Sequence, residues 1–451
     1  MVLRSLQDIK IPALTILLFV VAFIPFGGFA HSAEVFINVE RQRGSAVRIA
    51  ILNFTLRNTE NAIPDIEKMG VIAERIVTFD LNFSGHFEII DNKQMIKDII
   101  DKEIKSGKTD WQAWKDLGAD AIIYGEYYAN QNKEIVVEGR VYDVERKEQI
   151  AGTKYTGTPN VFRKMVHRFS DQIVYLFSGE RGIAETNLAF TTRIKGFKEL
   201  AVSDYDGHNV AQLTNDKSIV LFPSWSPSAN WILYTTYRKN NPDLYMLDIE
   251  KGEHVVISKK IGINTSATWS PDGKKIVFTM STRGNSDLFS VDFKGKNLSR
   301  LTSTRSIETS PTFSPDGKQI AYVSDISGSP QIYIMDADGN KKERFTYIGN
   351  YNADPSWSPR GDMIAFSGIL DNNFNLHVRR VDGRFEKQLT IYQGSNESPT
   401  WSPDGRHIAF TSTRNGTQQI FICNSTGTNQ TQITFLNGEA FGPAWAPKTR
   451  D

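Results

Sequence analysis

The residue types that most often carry catalysis or bind metals are scattered in this sequence. Its seven histidines stand at positions 31, 86, 167, 208, 254, 377 and 407, and no two have the spacing of paired metal ligands. A Gly-x-Ser-x-Gly nucleophile elbow, a His-Glu-x-x-His zinc motif and a glycine-rich phosphate loop do not occur. The sequence therefore predicts no catalytic residues, no metal site and no cofactor.

Six polar side chains in the second half of the chain are the main candidates for recognition. They are Asn264, Glu308, Asn352, Asp354, Asn396 and Glu397. Four of them stand five residues before a recurring aromatic residue, where we expect loops around the mouth of a channel. Polar loops that converge on one surface suit the binding of a protein partner, although a solvated rim would have the same composition. A divalent cation held by the three carboxylates is a further alternative.

An aromatic residue followed by a Ser-Pro or Ala-Pro step recurs every 44 residues. The copies are Trp225, Trp269, Phe313, Trp357, Trp401 and Trp445. Each unit reads as four short strands, with turns such as the one over 270–273, where Ser-Pro-Asp-Gly favours a tight reversal. A period of this length with four strands per unit predicts a six-bladed β-propeller.

A second aromatic column is out of phase with the first, and this predicts how the ring closes. Its copies are Phe190, Tyr234, Phe278, Tyr322, Phe366 and Phe410. The strands over 188–214 therefore lack an inner strand of their own. We expect the C-terminal segment 439–447 to supply that strand.

Composition excludes several classes of function. The 451 residues include 52 basic and 51 acidic side chains, a formal net charge of +1, which argues against a nucleic-acid partner or an anionic membrane surface. The single cysteine, Cys423, excludes an internal disulfide.

The first 33 residues are predicted to be a secretory signal peptide. Arg4 and Lys10 precede an apolar run over 11–24, and small residues follow. Cleavage fits after Ala30 or after Ala33. A retained membrane anchor is the alternative, because the uncharged stretch 11–30 is long enough to span a bilayer. Export without disulfides favours the periplasm, with no stable membrane insertion once the leader is removed.

Residues 34–182 predict a separate mixed α/β domain before a propeller over 183–451. Helices are expected over 64–83, 93–104, 111–117 and 161–177, and strands over 47–52, 87–90, 121–129, 134–142 and 149–156. The mature start alternates apolar and polar side chains in Glu34, Val35, Phe36, Ile37, Asn38 and Val39. That pattern predicts a strand able to add to a partner's sheet edge, or to pair within its own domain.

Three stretches of the N-terminal half resemble the TolB family of periplasmic propeller proteins. They are Val77–Asp91, with its Phe-Ser-Gly-His-Phe-Glu-Ile-Ile core, Trp114–Ala121 leading to Gly125, and Phe169–Ile173 running through Gly179 to Thr186. The order of leader, small α/β domain and six blades is also similar. Ser228 and Arg360 stand where the family's turn aspartate is expected.

The resemblance implies a non-enzymatic component of the Tol-Pal system. In that family the propeller mouth receives the peptidoglycan-associated lipoprotein Pal, and the mature N-terminal segment contacts the C-terminal domain of TolA, in support of outer-membrane integrity and division. From the residues alone, an exported propeller hydrolase and a small-ligand sensor remain alternatives.

Overall fold

The protein is described here by a computed structural model over residues 46–58, 61, 63–282, 284–370 and 372–448. The predicted leader, 1–33, and the predicted strand over 34–39 lie outside these residues. No helix in the described ranges is long and apolar enough to cross a membrane.

A mixed sheet forms the centre of the N-terminal domain. Its strands are β1 (Val47–Ile51), β2 (Thr55–Leu56), β3 (Phe87–Ile89), β4 (Ala121–Ala129), β5 (Ile135–Asp143) and β6 (Glu148–Gly157). They run in the order β3-β1-β4-β5-β6, with β2 beside β4. β1 is parallel to both of its neighbours, whereas β4, β5 and β6 are antiparallel.

Four helices cover the sheet. They are α1 (Met69–Ser84), α2 (Lys93–Ser106), α3 (Trp111–Asp116) and α4 (Phe162–Ser178). Asn92 and Asp110 cap α2 and α3 by accepting hydrogen bonds from backbone N–H groups in the first turn. Helices α1 and α4 share one buried cluster with the sheet, and α2 and α3 share another. The first helix begins later than predicted, because a single 3₁₀ turn over Ile66–Lys68 precedes it.

Six four-stranded sheets make up the rest of the chain. Their strands are β7 (Asn187–Ile194), β8 (Phe197–Asp204), β9 (Ala211–Gln212), β10 (Val220–Trp225), β11 (Trp231–Thr236), β12 (Asp243–Asp248), β13 (His254–Ser258), β14 (Asn264–Trp269), β15 (Lys275–Thr282), β16 (Asn285–Asp292), β17 (Ser299–Arg300), β18 (Glu308–Phe313), β19 (Gln319–Ser324), β20 (Gln331–Asp336), β21 (Glu343–Arg344), β22 (Asn352–Trp357), β23 (Met363–Leu370), β24 (Asn373–Arg380), β25 (Glu386–Gln388), β26 (Asn396–Trp401), β27 (His407–Ser412), β28 (Gln419–Asn424), β29 (Thr431–Gln432) and β30 (Ala440–Trp445). The predicted fold class, an α/β domain followed by a six-bladed β-propeller, is confirmed.

The last strand completes the first blade. β30 pairs with β7 in an antiparallel ladder that aligns Trp445 with Leu188, and the blade has the order β30-β7-β8-β9. Three of the recurring tryptophans, Trp225, Trp269 and Trp401, also join neighbouring blades, because their indole N–H groups donate to backbone carbonyls of the adjacent inner strand. Trp269 donates to Ser224 at 3.2 Å and Trp401 donates to Ser356 at 3.0 Å.

Candidate functional site

The two ends of the propeller differ in what they contact. The turns between first and second strands, and those between third and fourth strands, share one end, which we call the turn end. There Phe83 of α1 packs on His407, and Glu180 pairs with Arg406 at 2.7 Å. The N-terminal domain therefore lies against the turn end. The inter-blade loops and the loops between second and third strands form the opposite end, which we call the open end.

Four of the six predicted recognition residues are buried. Asn264 and Asn396 are fully buried, Glu308 is 1% exposed and Asn352 is 2% exposed. Each is the first residue of an inner strand. The expectation that these four side chains form an exposed ring is therefore wrong, because they point into the blade and not toward solvent.

These buried side chains fasten the loops of the open end. The amide nitrogen of Asn264 donates to the carbonyls of Pro242, Lys260 and Gly262 at 2.7–3.0 Å, and its oxygen accepts from the Ser258 hydroxyl. A buried amide with its donors and acceptor satisfied fixes loop geometry.

The other three buried residues make equivalent contacts. The Glu308 carboxylate accepts from the hydroxyls of Thr304 and Ser324, and burial raises its pKa. Asn352 donates to Gln331 and to the Ile348 carbonyl. Asn396 accepts from Arg414 at 2.9 Å.

Asp354 lies elsewhere, on the wall of the central channel, and Glu397 directly precedes the β-bulge of the next inner strand. A β-bulge in every inner strand turns one residue toward a cavity of about 280 Å³, and Asp354 is the acidic member of that set. The six bulge residues, all with φ between 50° and 59°, are Phe222, Ser266, Ser310, Asp354, Ser398 and Gly442. The Asp354 carboxylate accepts from the hydroxyl of Ser398 at 3.4 Å.

Asp354 and Glu397 act on each other electrostatically. Burial raises the pKa of both carboxyl groups, and the negative charge of Asp354 raises the pKa of Glu397 further. The structure thus brings these two predicted residues together, whereas the Glu308 carboxylate is held by Thr304 and Ser324 at the start of its own inner strand.

The most exposed feature of the open end is apolar. Large hydrophobic side chains stand out from all six inter-blade loops and from the adjoining mouth; Ile261 is 97% exposed, Tyr392 is 88% exposed and Phe435 is 76% exposed. We call this set the apolar rim; its members are Ile219, Phe222, Ile261, Ile263, Ile307, Ile326, Tyr347, Ile348, Ile391, Tyr392 and Phe435. Scattered exposed hydrophobics are ordinary, but a concentration around one opening is typical of a protein-binding surface.

Sequence reasoning missed the apolar rim, although a signal for it was present. Short loops normally carry polar residues. Three of these loops nevertheless begin with large apolar residues: Tyr347-Ile348, Ile391-Tyr392 and Phe435 directly follow the pairs Phe345-Thr346, Leu389-Thr390 and Ile433-Thr434 that end a blade. Large apolar residues in six equivalent loops are the pattern that could have located this surface.

Two family models match the chain. The one described as the TolB beta propeller domain matches residues 175–449, and the one described as the TolB amino-terminal domain matches residues 35–150. The Tol-Pal system protein TolB of Desulfosudis oleivorans is 37% identical over 184 residues, which is 41% of this chain and 42% of that protein. The protein of the same name from Paramagnetospirillum magneticum is 31% identical over 244 residues, 53% of this chain and 52% of the other.

The fold has a close counterpart among solved structures. The crystal structure of TolB from Acinetobacter baumannii superposes with a TM-score of 0.76 at 25% identity, covering 93% of this chain and 100% of that one. The chain spans about half the length of the curated relatives it matches. Because one family model covers more than half of its residues, the chain belongs to the TolB family.

Proposed function

We propose that this protein is a non-enzymatic, periplasmic adaptor of the Tol-Pal system that binds the lipoprotein Pal at the open end of its propeller. In this role it supports outer-membrane integrity and constriction at division. The observation that carries the proposal is the apolar rim, since its side chains surround the channel at the end opposite the one that contacts the described part of the N-terminal domain. Membership of the TolB family supports the choice of partner.

The apolar rim has the character of a binding surface with a defined centre. Exposed isoleucines and tyrosines provide apolar area that a partner can desolvate, and aromatic anchors near the middle of an interface commonly dominate its affinity. Asp354 lines the central channel, and Glu397 lies close enough for the Asp354 charge to raise its pKa. We propose that they are the polar contacts of the surface, where they would accept hydrogen bonds from the partner.

The four buried residues of the inner strands support the same surface indirectly. Asn264, Glu308, Asn352 and Asn396 hold the inter-blade loops through hydrogen bonds to their own backbone and hydroxyl groups. A rigid loop loses little conformational freedom when a partner binds. These four residues are therefore positioning residues for the apolar rim.

The mature N-terminus is the second proposed contact. The alternating segment Glu34–Val39 would add as a strand to the TolA C-terminal domain, which leaves the two partners on different parts of the chain. We also propose removal of residues 1–33 as a leader and a domain boundary at 182/183. The linker between α4 and β7, residues 179–186, contains that boundary.

Calorimetric titration of the protein with the soluble domain of Pal tests the rim. Ile261→Ser with Tyr392→Ser is expected to weaken binding at least ~30-fold, about 2 kcal/mol, because both side chains are desolvated in the complex. The melting temperature should not fall, since both side chains are exposed. Ile104→Ser is the matched control, because Ile104 is 74% exposed on α2 of the other domain. Equal affinities for the double variant and the control would refute the proposed surface.

A further inference from the structure

Histidines gather where the two domains meet. Of the six histidines in the described residues, His86, His167, His208 and His407 lie at or beside this junction. Two of them are almost completely buried: His167 is 2% exposed and His407 is 1% exposed. Imidazole is the side chain whose charge changes near neutral pH, so this placement makes the junction sensitive to protonation.

His167 stands between a carboxylate of its own domain and one of the propeller. Its Nδ1 lies 2.9 Å from Asp80 Oδ2, on α1, and its Nε2 lies 3.6 Å from Asp206 Oδ2 in the turn between β8 and β9. The side chains of Asp80 and Asp206 are 2% and 7% exposed. A protonated imidazole can donate one N–H toward each carboxylate, whereas a neutral ring has only one N–H.

Other charged groups face His167 from every element packed around it. From α4, Arg163 pairs with Asp206, lies 3.7 Å from Asp204, and places Nη2 3.5 Å from His167 Nε2. On the propeller turn, His208 Nδ1 lies 3.3 Å from Asp206 Oδ1. The carboxylate of Asp206 is thus shared by two histidines and one guanidinium.

Tyr205 connects the cluster around His167 to the strand that closes the propeller. Its hydroxyl donates to Asp80 Oδ1 at 2.6 Å, across the junction. Its ring packs on His167 and on Trp445 of the closing strand, with centroids 5.8 and 6.4 Å apart. Trp445 also lines the central channel.

We propose that His167 is a pH-sensitive latch: its imidazolium bridges Asp80 of the N-terminal domain and Asp206 of the propeller, and loss of its proton weakens the hold of the two domains on each other. When the ring is neutral, two buried carboxylates face it with less positive charge between them. A buried charge that loses its partner destabilises the folded state, so the contact between the two domains is weakened.

The direction of the effect follows from the surroundings of the ring. Burial lowers the pKa of His167, but the charge and hydrogen bond of Asp80 and the charge of Asp206 outweigh it and raise the pKa above 6.5. A raised histidine pKa gives a contribution that is complete below 6.5 and is lost as the pH rises through the value in the folded protein. The latch therefore holds below pH 6.5 and opens as the pH rises above the pKa of His167 in the folded protein.

Trypsin cleavage of the intact two-domain protein after Arg181 measures the opening. The linker is held in the closed state, because Lys448 donates to the Gly182 carbonyl and the Ala184 N–H donates to Asp171. Fragments are identified by mass from pH 6 to 9, and each rate is divided by that of an unfolded peptide of the same linker sequence. For the wild type we expect the corrected rate to rise at least about tenfold between pH 6 and pH 9, because a proton is lost as the junction opens.

Three variants decide the assignment. His167→Gln should be cleaved fast at every pH, with no step. Asp206→Asn should move the step to lower pH, because it removes one of the carboxylates that favour the proton. His254→Gln should keep the wild-type step, because His254 lies in an outer strand of the propeller and contacts the Tyr234 hydroxyl. A flat wild-type profile, a step that persists in His167→Gln, or an unmoved step in Asp206→Asn would each overturn the latch.

Discussion

Phe83 and His407 contact each other twice across the domain junction. Their rings stack with centroids 4.1 Å apart, and His407 Nε2 donates to the Phe83 backbone carbonyl at 2.7 Å. The carbonyl can only accept, so the proton must reside on Nε2. This pair fixes the end of α1 on the turn end of the blade that begins with β26.

Replacing Phe83 should loosen the junction and cost stability. Phe83 is 6% exposed and packs on Phe79 and Tyr205 as well as on His407. We expect Phe83→Ala to lower the free energy of unfolding by ~3–5 kcal/mol, because it removes apolar contacts and leaves a cavity. Urea titration measures the loss. Phe197→Ala is the control: Phe197 is 42% exposed, and a change there should stay within about 1 kcal/mol.

Replacing Asn264 should lower the free energy of unfolding, and should affect partner binding only through that loss. Asn264→Ala removes the amide that donates to the carbonyls of Lys260 and Gly262 and leaves the buried Ser258 hydroxyl without its acceptor, whereas the Pro242 carbonyl keeps the backbone N–H of residue 264. We expect the free energy of unfolding to fall by roughly 1–3 kcal/mol. Asn415→Ala, at an exposed position on the same end, should be nearly silent. If Asn264→Ala instead kept its urea midpoint and lost affinity for Pal, a direct contact role would be restored to this residue.

The contrast between Asn264 and Ile261 shows what periodicity can and cannot predict. The 44-residue repeat identified Asn264 as an equivalent position in successive blades, and the aromatic columns predicted the six blades. The repeat did not reveal that Asn264 begins the inner strand, where the side chain turns inward. Loops are usually exposed and polar, so the polar residue was assigned to the surface and Ile261, three positions earlier, was overlooked.

The domain junction could not have been predicted from sequence spacing. His167 and Asp80 are 87 positions apart, and Tyr205 and Asp80 are 125 apart. No repeat or motif links these residues, and only the docking of α1 and α4 on the propeller brings them together. Considered singly in the sequence, each of these residues fits an ordinary buried polar contact as well as it fits a contact between domains.

Two aspartates of the junction should make the protein sensitive to acid. Burial raises the pKa of Asp206 and Asp404, but neighbouring histidines and hydrogen bonds outweigh it and bring both to about 2, from an ordinary 3.8. A depressed carboxyl pKa gives stability that is present above 3.8 and is lost as the pH falls through 2. Each group contributes roughly 2 kcal/mol.

The acid limb of the unfolding curve tests these two groups. Between pH 4 and pH 2 the free energy of unfolding of the wild type should fall, and the fall should be shallower in Asp206→Asn with Asp404→Asn. Asp98→Asn, at an exposed position on α2, should leave the limb unchanged. An acid limb of the same slope in the double variant would place the titrating groups elsewhere.

The closing strand should be the most sensitive element of the propeller. Trp445 is 6% exposed, its indole donates to the Thr186 hydroxyl at 2.8 Å, and its ring packs on Tyr205. We expect Trp445→Ala to lower the free energy of unfolding by ~3–5 kcal/mol, because the cavity opens at the seam where the ring joins its two ends.

The same strand provides the control for this prediction. Phe441 is partly exposed, and Lys198 lies 4.6 Å from its ring centroid. A cation over an exposed ring contributes only about 0.5–1 kcal/mol, so Phe441→Ala should move the urea midpoint little. Closure of the ring by Trp445 predicts a large difference between two aromatic residues four positions apart. Equal midpoints for the two variants would mean that the Trp445 side chain contributes no more than Phe441 to the closure of the ring.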